Sequence, residues 1–520
     1  MNPEFLERYY RWVALSIIML GTFMAVLNSS IVNVALPHMM SAFGVNRDQI
    51  QWISTGFMLA TAVAMPLVGW LTKNFGHKQI YLSSLALFTI GSASCAFAFS
   101  YNAMLFARIM QAIGGGAIQP VGMSIITELF EPHERGRALG IWGIGIMVGP
   151  AVGPTLGGYL CDYFNWRAIF SVNLPIGVLT LLLGLLVMKS DRKPREGLTP
   201  FDFWGYLFLS IGLIASLLAL SNGQEKGWDS DYIRICEILT AIGFTMFAGI
   251  EATVSHPLFP LKLLLYRNFT LGMILAVFRA IGLFGGVFLL PIFLQTLVGY
   301  TTIQTGLWLM PGAVAMGFFM PVAGRLADRY PANILVTIGA LLSGISMLFY
   351  GNLDPLSGAF LIIGSQIVRG AGLALMMTPL MTTILNSVPR HQVPTVSSFL
   401  NVAQSVGASF GIALLNTYVT NSIHWHAVRI GEKLPVQSEA FFNLYLKAPQ
   451  FVFRGVQGIA LDDSIKSGFM AAKAIMHRAS VLGFDNGFVV GGIIVLCCIP
   501  LCLMLKTVRH AKLGAVTVGE

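Results

Sequence analysis

Runs of about twenty apolar residues recur along almost the whole of this chain, and no other feature limits its fold so sharply. A helix needs roughly 20 apolar residues to cross a bilayer, and only helices or closed barrels can cross, because each backbone polar group must be satisfied internally. Fourteen such runs can be read, near 12–36, 50–72, 79–99, 103–127, 137–160, 167–188, 204–221, 233–252, 269–295, 305–327, 334–351, 357–385, 397–420 and 486–506. The composition agrees. Of 520 residues, 55% are hydrophobic and 11% charged, whereas a soluble domain carries roughly 25% charged residues. The expectation is an all-α polytopic membrane protein. Its first run is long enough to span and lacks a small-residue cleavage site, so it reads as a retained helix rather than a leader.

The net charge of +9 is no sign of nucleic-acid binding, because the basic residues gather in loops on one side. Those loops hold Arg8, Arg11, Lys73, Lys78, Arg135, Arg137, Lys189, Arg192, Lys193, Arg195, Lys262, Arg267, Arg325, Arg329, Arg390, Lys506, Arg509 and Lys512. The short loops opposite hold little beyond Arg47, Arg167, Lys226 and Arg234. Positive loops stay inside, so the basic side is expected in the cytoplasm, with both termini. The six cysteines show no metal or redox spacing and read as packing residues. His424 and His426 are a lone H-x-H. No phosphate loop, nucleophile triad or zinc pattern is present, so neither an enzyme, a metal nor a cofactor is expected.

The fifth run carries Gly145, Gly149, Gly153 and Gly157 at four-residue spacing, with Gly158 beside them and Pro150 and Pro154 between. Small residues at this spacing form a smooth stripe that a second helix can approach closely. The prolines are expected to bend the helix. Together Gly149, Pro150, Gly153 and Pro154 are expected to form a bending contact between two halves. An internal repeat supports the halves: Gly69 recurs as Gly324, Arg108 as Arg369, and Gly149 and Gly153 as Gly407 and Gly411, at nearly constant displacement. Ala408 and Ile412 stand where the first half has its prolines.

Ionisable residues inside a membrane are expensive and by default functional. Arg108 lies in mid-span, and Gln111, Gly115 and Gln119 share its helical face. Arg279 and Arg369 are two further intramembrane candidates. Asn28 and Asn33 bring amides into the first span, within Leu27-Asn28-Ser29-Ser30-Ile31-Val32-Asn33-Val34-Ala35-Leu36-Pro37. No Asp or Glu falls well inside any of the runs. Glu128 at the end of the fourth and His38 at the outer end of the first are the remaining groups that could carry a proton.

These stretches resemble the motifs of the major facilitator superfamily. Residues 145–158 resemble its antiporter motif, and the run from Arg108 through Gln111 to Gly114 resembles its fourth-helix motif, implicated there in proton transfer and substrate contact. The loop from Gly69 through Gly76 to Lys78 resembles its cytoplasmic gate motif, repeated as Gly324-x-Leu326-x-Asp328-Arg329; Lys73 stands where the first copy usually has an aspartate. The first-span stretch resembles that of the fourteen-span drug:proton antiporters of EmrB/QacA type. So do Trp166–Gly177, Leu290–Gln295 and Gly306–Gly312.

The resemblance implies two six-helix bundles, 1–200 and 255–420 with 486–506, two inserted helices in 201–254, an outer loop 421–485 and a cytoplasmic tail 507–520. It implies a secondary exporter of small hydrophobic or amphiphilic substrates in a bacterial inner membrane, working by alternating access and driven by a proton gradient. Arg108, Gln111, Asn28 and Asn33 would line or tune its cavity. The family's acid in the first helix is Asn28 here, which cannot titrate. That leaves a non-coupled facilitator, sensor or lipid-handling protein as the rival. Arginines without a carboxylate favour anionic or neutral amphiphiles over cations. Segment 421–485 reads either as an amphipathic helix over the outer mouth, from Ile465, Phe469, Ala472 and Met476, or as a docking surface for a periplasmic adaptor feeding an outer-membrane channel. The segment also holds the Phe441–Tyr445 patch.

Overall fold

The computed structural model describes residues 3–189, 199–353, 359–432 and 463–506. The regular structure among them is helical: α1 (Pro3–Phe43), α2 (Arg47–Ala64), α3 (Leu67–Phe75), α4 (His77–Ala96), α5 (Tyr101–Leu129), α6 (Arg135–Tyr163), α7 (Ala168–Ser171), α8 (Asn173–Val187), α9 (Phe203–Lys226), α10 (Asp231–Thr253), α11 (Arg267–Thr296), α12 (Thr302–Ala327), α13 (Ala332–Tyr350), α14 (Ala359–Asn386), α15 (Val393–Glu432), α16 (Asp463–Cys497) and α17 (Ile499–Leu503). Thirteen helical segments are long and apolar enough to cross a membrane, and α2 with α3, bent by 52° at their break, makes a fourteenth. Each apolar run of the sequence coincides with one of them.

Local chemistry repeats along with the pattern. Asn46 and Gln49 close a reciprocal capping box at the start of α2, and Thr301 and Gln304 close its counterpart at the start of α12. Each box satisfies N–H groups that the first turn leaves without partners. α6 runs as one unbroken helix through Pro150 and Pro154, and the break between two helices of one span comes at Met65–Pro66. Neighbouring helices can hold a proline-bearing span together, and α1 and α12 both pack on α6.

The halves meet along two seams, α6 against α12 and the pair α3 and α5 against α15, while α9 with α10 lies against α2 and α15. The core differs between the ends of the bundle. At the face carrying both ends of the described chain, one continuous cluster joins Leu15, Phe130 and Trp142 of the first half to Met320, Leu385 and Phe399 of the second. At the far face the cores are separate, with Ile31, Met39 and Trp166 in one and Leu290, Tyr350 and Phe488 in the other.

The segment 421–485 is in part a continuation of its flanking spans. α15 runs on to Glu432, and α16 starts at Asp463 and passes directly into the last span. This places Asp485 within the Ala472–Leu503 helix, a carboxylate inside a span where none was expected. Its carbonyl lies near Gly351, just past the end of α13. The Phe441–Tyr445 patch, Arg192, Lys193, Arg195, Arg509 and Lys512 lie outside the described residues.

Candidate functional site: a buried amide and guanidinium cluster

Four helices of the first half converge on Arg108. One turn along α5, Gln111 offers its Oε1 to the Arg108 Nη1 at 2.7 Å, and Arg108 Nε donates to the Ile53 carbonyl at 3.4 Å. The guanidinium lies over the Phe57 ring, 4.1 Å from its centroid. Asn28 of α1 exchanges bonds with Gln111: its Oδ1 accepts from Gln111 Nε2 at 3.3 Å and its Nδ2 donates to Gln111 Oε1 at 3.4 Å. Asn173, the first residue of α8, donates to Asn28 Oδ1 and to Ser92 Oγ, both at 3.2 Å. Arg108, Gln111, Asn28, Asn173 and Ser92 are each at most 1% exposed. No ion pair reaches Arg108 among the described residues. One amide oxygen, a backbone carbonyl and an aromatic face solvate the cation instead, which is how an apolar interior can hold a guanidinium without an acid.

Arg108, Gln111 and Asn28 are thus brought together as the sequence implied. Asn173 and Ser92 were not singled out; Asn173 lay within the Trp166–Gly177 stretch, and nothing in the pattern marks Ser92. Asn33 sits apart, exposed near the far face, and accepts from Ser54 Oγ at 3.1 Å. Gln119 is half-buried farther down α5. His38 lines an open depression of about 470 Å³ with Pro37, Phe164 and Trp166 at the far end of α1. Glu128 pairs with His77 Nδ1 at 3.3 Å, and Ser124 Oγ lies 2.9 Å from His77 Nε2. Neither proton candidate joins the Arg108 cluster.

The second half holds its arginines separately. Arg369 of α14 donates to the Leu283 carbonyl at 2.8 Å, in space left by Gly286, where a side-chain carbon would lie 2.5 Å from the guanidinium carbon. Arg279 of α11 donates to Gln404 Oε1 of α15 at 2.7 Å. The three arginines therefore share no hydrogen-bond partner among the described residues.

The glycine stripe of α6 faces its own half. A side-chain carbon on Gly149 would lie 2.9 Å from Leu27 N, and one on Gly153 would lie 2.7 Å from Ser30 Oγ; Gly145 meets Met19, Gly157 meets Ile31, and Gly158 faces open space. The expected contact between halves is made instead by Gly136, Gly140 and Gly143, which meet Gly324, Met320 and Asp328 of the α12 region. Spacing alone reveals a smooth face but not which neighbour presses on it.

Polar contacts also hold that seam. Asp328 accepts from the backbone N–H of Gly136 at 3.0 Å and of Arg137 at 3.1 Å, at the start of α6. A carboxylate there satisfies free N–H groups and meets the positive end of the helix dipole. Burial nevertheless pushes the Asp328 carboxyl up to about 6; the two backbone bonds and His133 oppose that rise, and Glu134 adds to it. Arg135 bridges the halves beside it, donating to Asn386 Oδ1 and to the carbonyls of Thr127 and Phe130. In the first-half copy, Gly69 is approached by Thr395 of α15. Gly76 holds φ +84°, a conformation that favours glycine. Lys78 donates to the carbonyls of Leu185 and Met188 at the end of α8, within its own half. Arg329 is exposed.

Residues 18–412 match the family described as Major Facilitator Superfamily. The chain is 30% identical over 505 residues to an uncharacterized MFS-type transporter, YhcA of Bacillus subtilis, covering 96% of this chain and 93% of that one. It is 29% identical to the multidrug export protein EmrB of Escherichia coli, covering 90% of each. With the multidrug resistance protein Stp of Mycobacterium tuberculosis it shares 32% identity over 76% of this chain and 74% of that one. Its fold is similar to that of the proton:xylose symporter XylE, with a TM-score of 0.59, 15% identity and coverage of 96% and 97%.

Proposed function

The chain belongs to the Major Facilitator Superfamily, a family of transporters and not of enzymes, and from that premise we propose that it exports small amphiphilic molecules, anionic or neutral, by alternating access and proton antiport. The observation that carries the reading is the uneven core. The halves share one cluster at the termini face and keep separate clusters at the far face. With the termini face in the cytoplasm, as the basic loops favour, this is an outward-open transporter closed on the inside. Exposed Ser29 and Asn33 on α1 then form a polar wall of the open cleft. Relatives named for multidrug export support the substrate breadth, and a buried cation cluster without a carboxylate supports the lean toward anions. A bacterial inner membrane is the setting that these relatives favour.

Reconstitution tests the reading. In proteoliposomes carrying the full chain, a carboxylated dye should move against its gradient when an inward proton gradient is imposed, and a quaternary-ammonium dye of similar size should move more slowly. One specific observation favours a rival. Asn28 is wholly buried and bonded through both its oxygen and its nitrogen, so the first-helix position holds a settled amide and no titrating acid. Dye movement that only follows its own gradient, indifferent to the imposed pH difference, would identify a facilitator.

A further inference from the structure

The buried mid-span guanidinium groups are not equally satisfied. Neither Arg108 nor Arg369 has a bare buried nitrogen among the described residues. Arg279 is 3% exposed and makes a bond only through Nη2, to Gln404 Oε1. Its Nη1 is buried without a partner, and so is Gln404 Nε2. Turning the amide over would not help, because a guanidinium has no lone pair to accept the NH2 group. The Arg279 bond therefore fixes the amide, and two buried donors on the bonded pair, one charged and one neutral, are left with no acceptor among the described residues. Such donors are costly to bury.

The surrounding helices are locked together around the pair. α15 presses on α11 through Gly407 against Val277 and Gly411 against Ile281, on either side of Arg279. One turn and a half beyond Gln404, Ser409 Oγ lies 3.8 Å from Met58 Sδ of the other half, so α15 borders the seam between halves at this depth. The repeat adds a further point. The offset that carries Ser30, beneath Gly153, to Ile281, beneath Gly411, carries Asn28 to Arg279. The second half thus places an unsaturated cation where the first half places a saturated amide.

We infer that Arg279 and Gln404 form the anion-recognising subsite of this transporter, taking the carboxylate of an amphiphile between Nη1 and Nε2. A carboxylate offers acceptor-only oxygens for both bare donors, and it neutralises the one mid-span guanidinium that has a bare buried nitrogen among the described residues. The apolar body of the ligand then lies along the seam between α15 and the first half. The subsite deepens the export reading above and rests on it for transport, but binding can be measured without transport.

The test uses the purified full chain in lipid nanodiscs, with 1-pyrenebutyrate and its neutral methyl ester as fluorescent probes. Wild type should bind the acid about tenfold or more tightly than the ester, the range of a hydrogen bond to a charged group. Arg279→Gln and Gln404→Leu should each remove that preference and leave ester affinity unchanged. Arg279→Lys, which keeps the charge but loses the fork, should fall between. Thermal melting identifies a variant that fails to fold; Gln404→Leu, which removes no charge, then carries the test. A wild type that prefers the acid, with the preference intact in folded Gln404→Leu and Arg279→Gln, overturns the subsite and leaves the export reading standing. A wild type without any preference for the acid overturns both the subsite and the anionic lean.

Discussion

The two halves descend from one pattern, yet they treat their equivalent arginines differently. Arg108 is embedded in a network that draws on α1, α4, α5 and α8 and ends on an aromatic face. Arg369 donates to the Leu283 carbonyl in a space vacated by Gly286. The first half has thus built a rigid polar core, and the second has kept its cations in looser settings. The largest expected effect follows from this. Arg108→Ala strips a donor from Gln111 and from the Ile53 carbonyl and leaves a cavity inside a closed core, and should cost about 3–5 kcal/mol, the cost of unpaired buried acceptors added to that of a large-to-small core truncation. Arg369→Ala gives up a carbonyl bond and should cost about 1–3 kcal/mol. Unfolding of both variants in detergent measures the gap, and equal costs would break the comparison.

A second contrast lies at the termini face. Gly324 meets the Gly136 carbonyl, which is backbone, whereas Gly69 is approached first by the Thr395 hydroxyl, with the Thr395 backbone farther off at 3.0 Å. Backbone cannot step aside, but a side chain can rotate. Gly324→Ala should therefore weaken the closed termini face by about 1–3 kcal/mol, the cost of overpacking, and Gly69→Ala by less. Spin labels placed across that face would report the open fraction directly, and a larger opening in Gly69→Ala would reverse the assignment.

The Asp328 contact is also expected to respond to pH. Asp328 has its carboxyl raised by burial in the closed seam, to about 6, above the ordinary aspartate value it regains when exposed. The closed form therefore binds a proton more readily than the open form. Closure is favoured in full below the ordinary aspartate range and loses that help as pH rises through about 6. His133, Glu134, Arg137 and the start of α6 are the groups facing it. Asp328→Asn should make closure indifferent to pH across this window, read by the same labels; an unaltered titration would place the switch elsewhere.

Much of this was legible in the residues. Crossing number, the repeat and the pairing of Arg108 with Gln111 follow from run length, displacement and helical face, which are local or periodic properties, whereas Asn28 joined them through the family resemblance. What was hidden depended on neighbours. The stripe from Gly145 to Gly157 is visible as a smooth face, but only the fold shows α1 against it and leaves the other half to Gly136, Gly140 and Gly143. Gln404 is an ordinary polar residue until Arg279 is found opposite. Asp485 looked like a loop residue because the helical spacing from Ile465 to Met476 reads as a separate outer helix and does not show that α16 continues through Asp485 into the last span.

The smallest effect tests the asymmetry of the two loops from its missing side. Asp328 stands one turn beyond Gly324 and caps α6; Lys73 stands one turn beyond Gly69, whose neighbour Thr395 lies in the first turn of α15. The first half therefore brings a cation toward a helix start, where the dipole is positive and Arg390 and His391 precede it. Lys73→Asp replaces repulsion with attraction at the positive end of the α15 dipole. It should favour the closed termini face by about 0.3–1 kcal/mol at low salt, the range for a charge at a helix end, and the gain should fade as salt screens it. Closure measured by the same spin labels at low and high ionic strength checks both points. A Lys73→Asp variant that opens the face would mean that the two loops, alike in sequence, no longer meet equivalent helix ends.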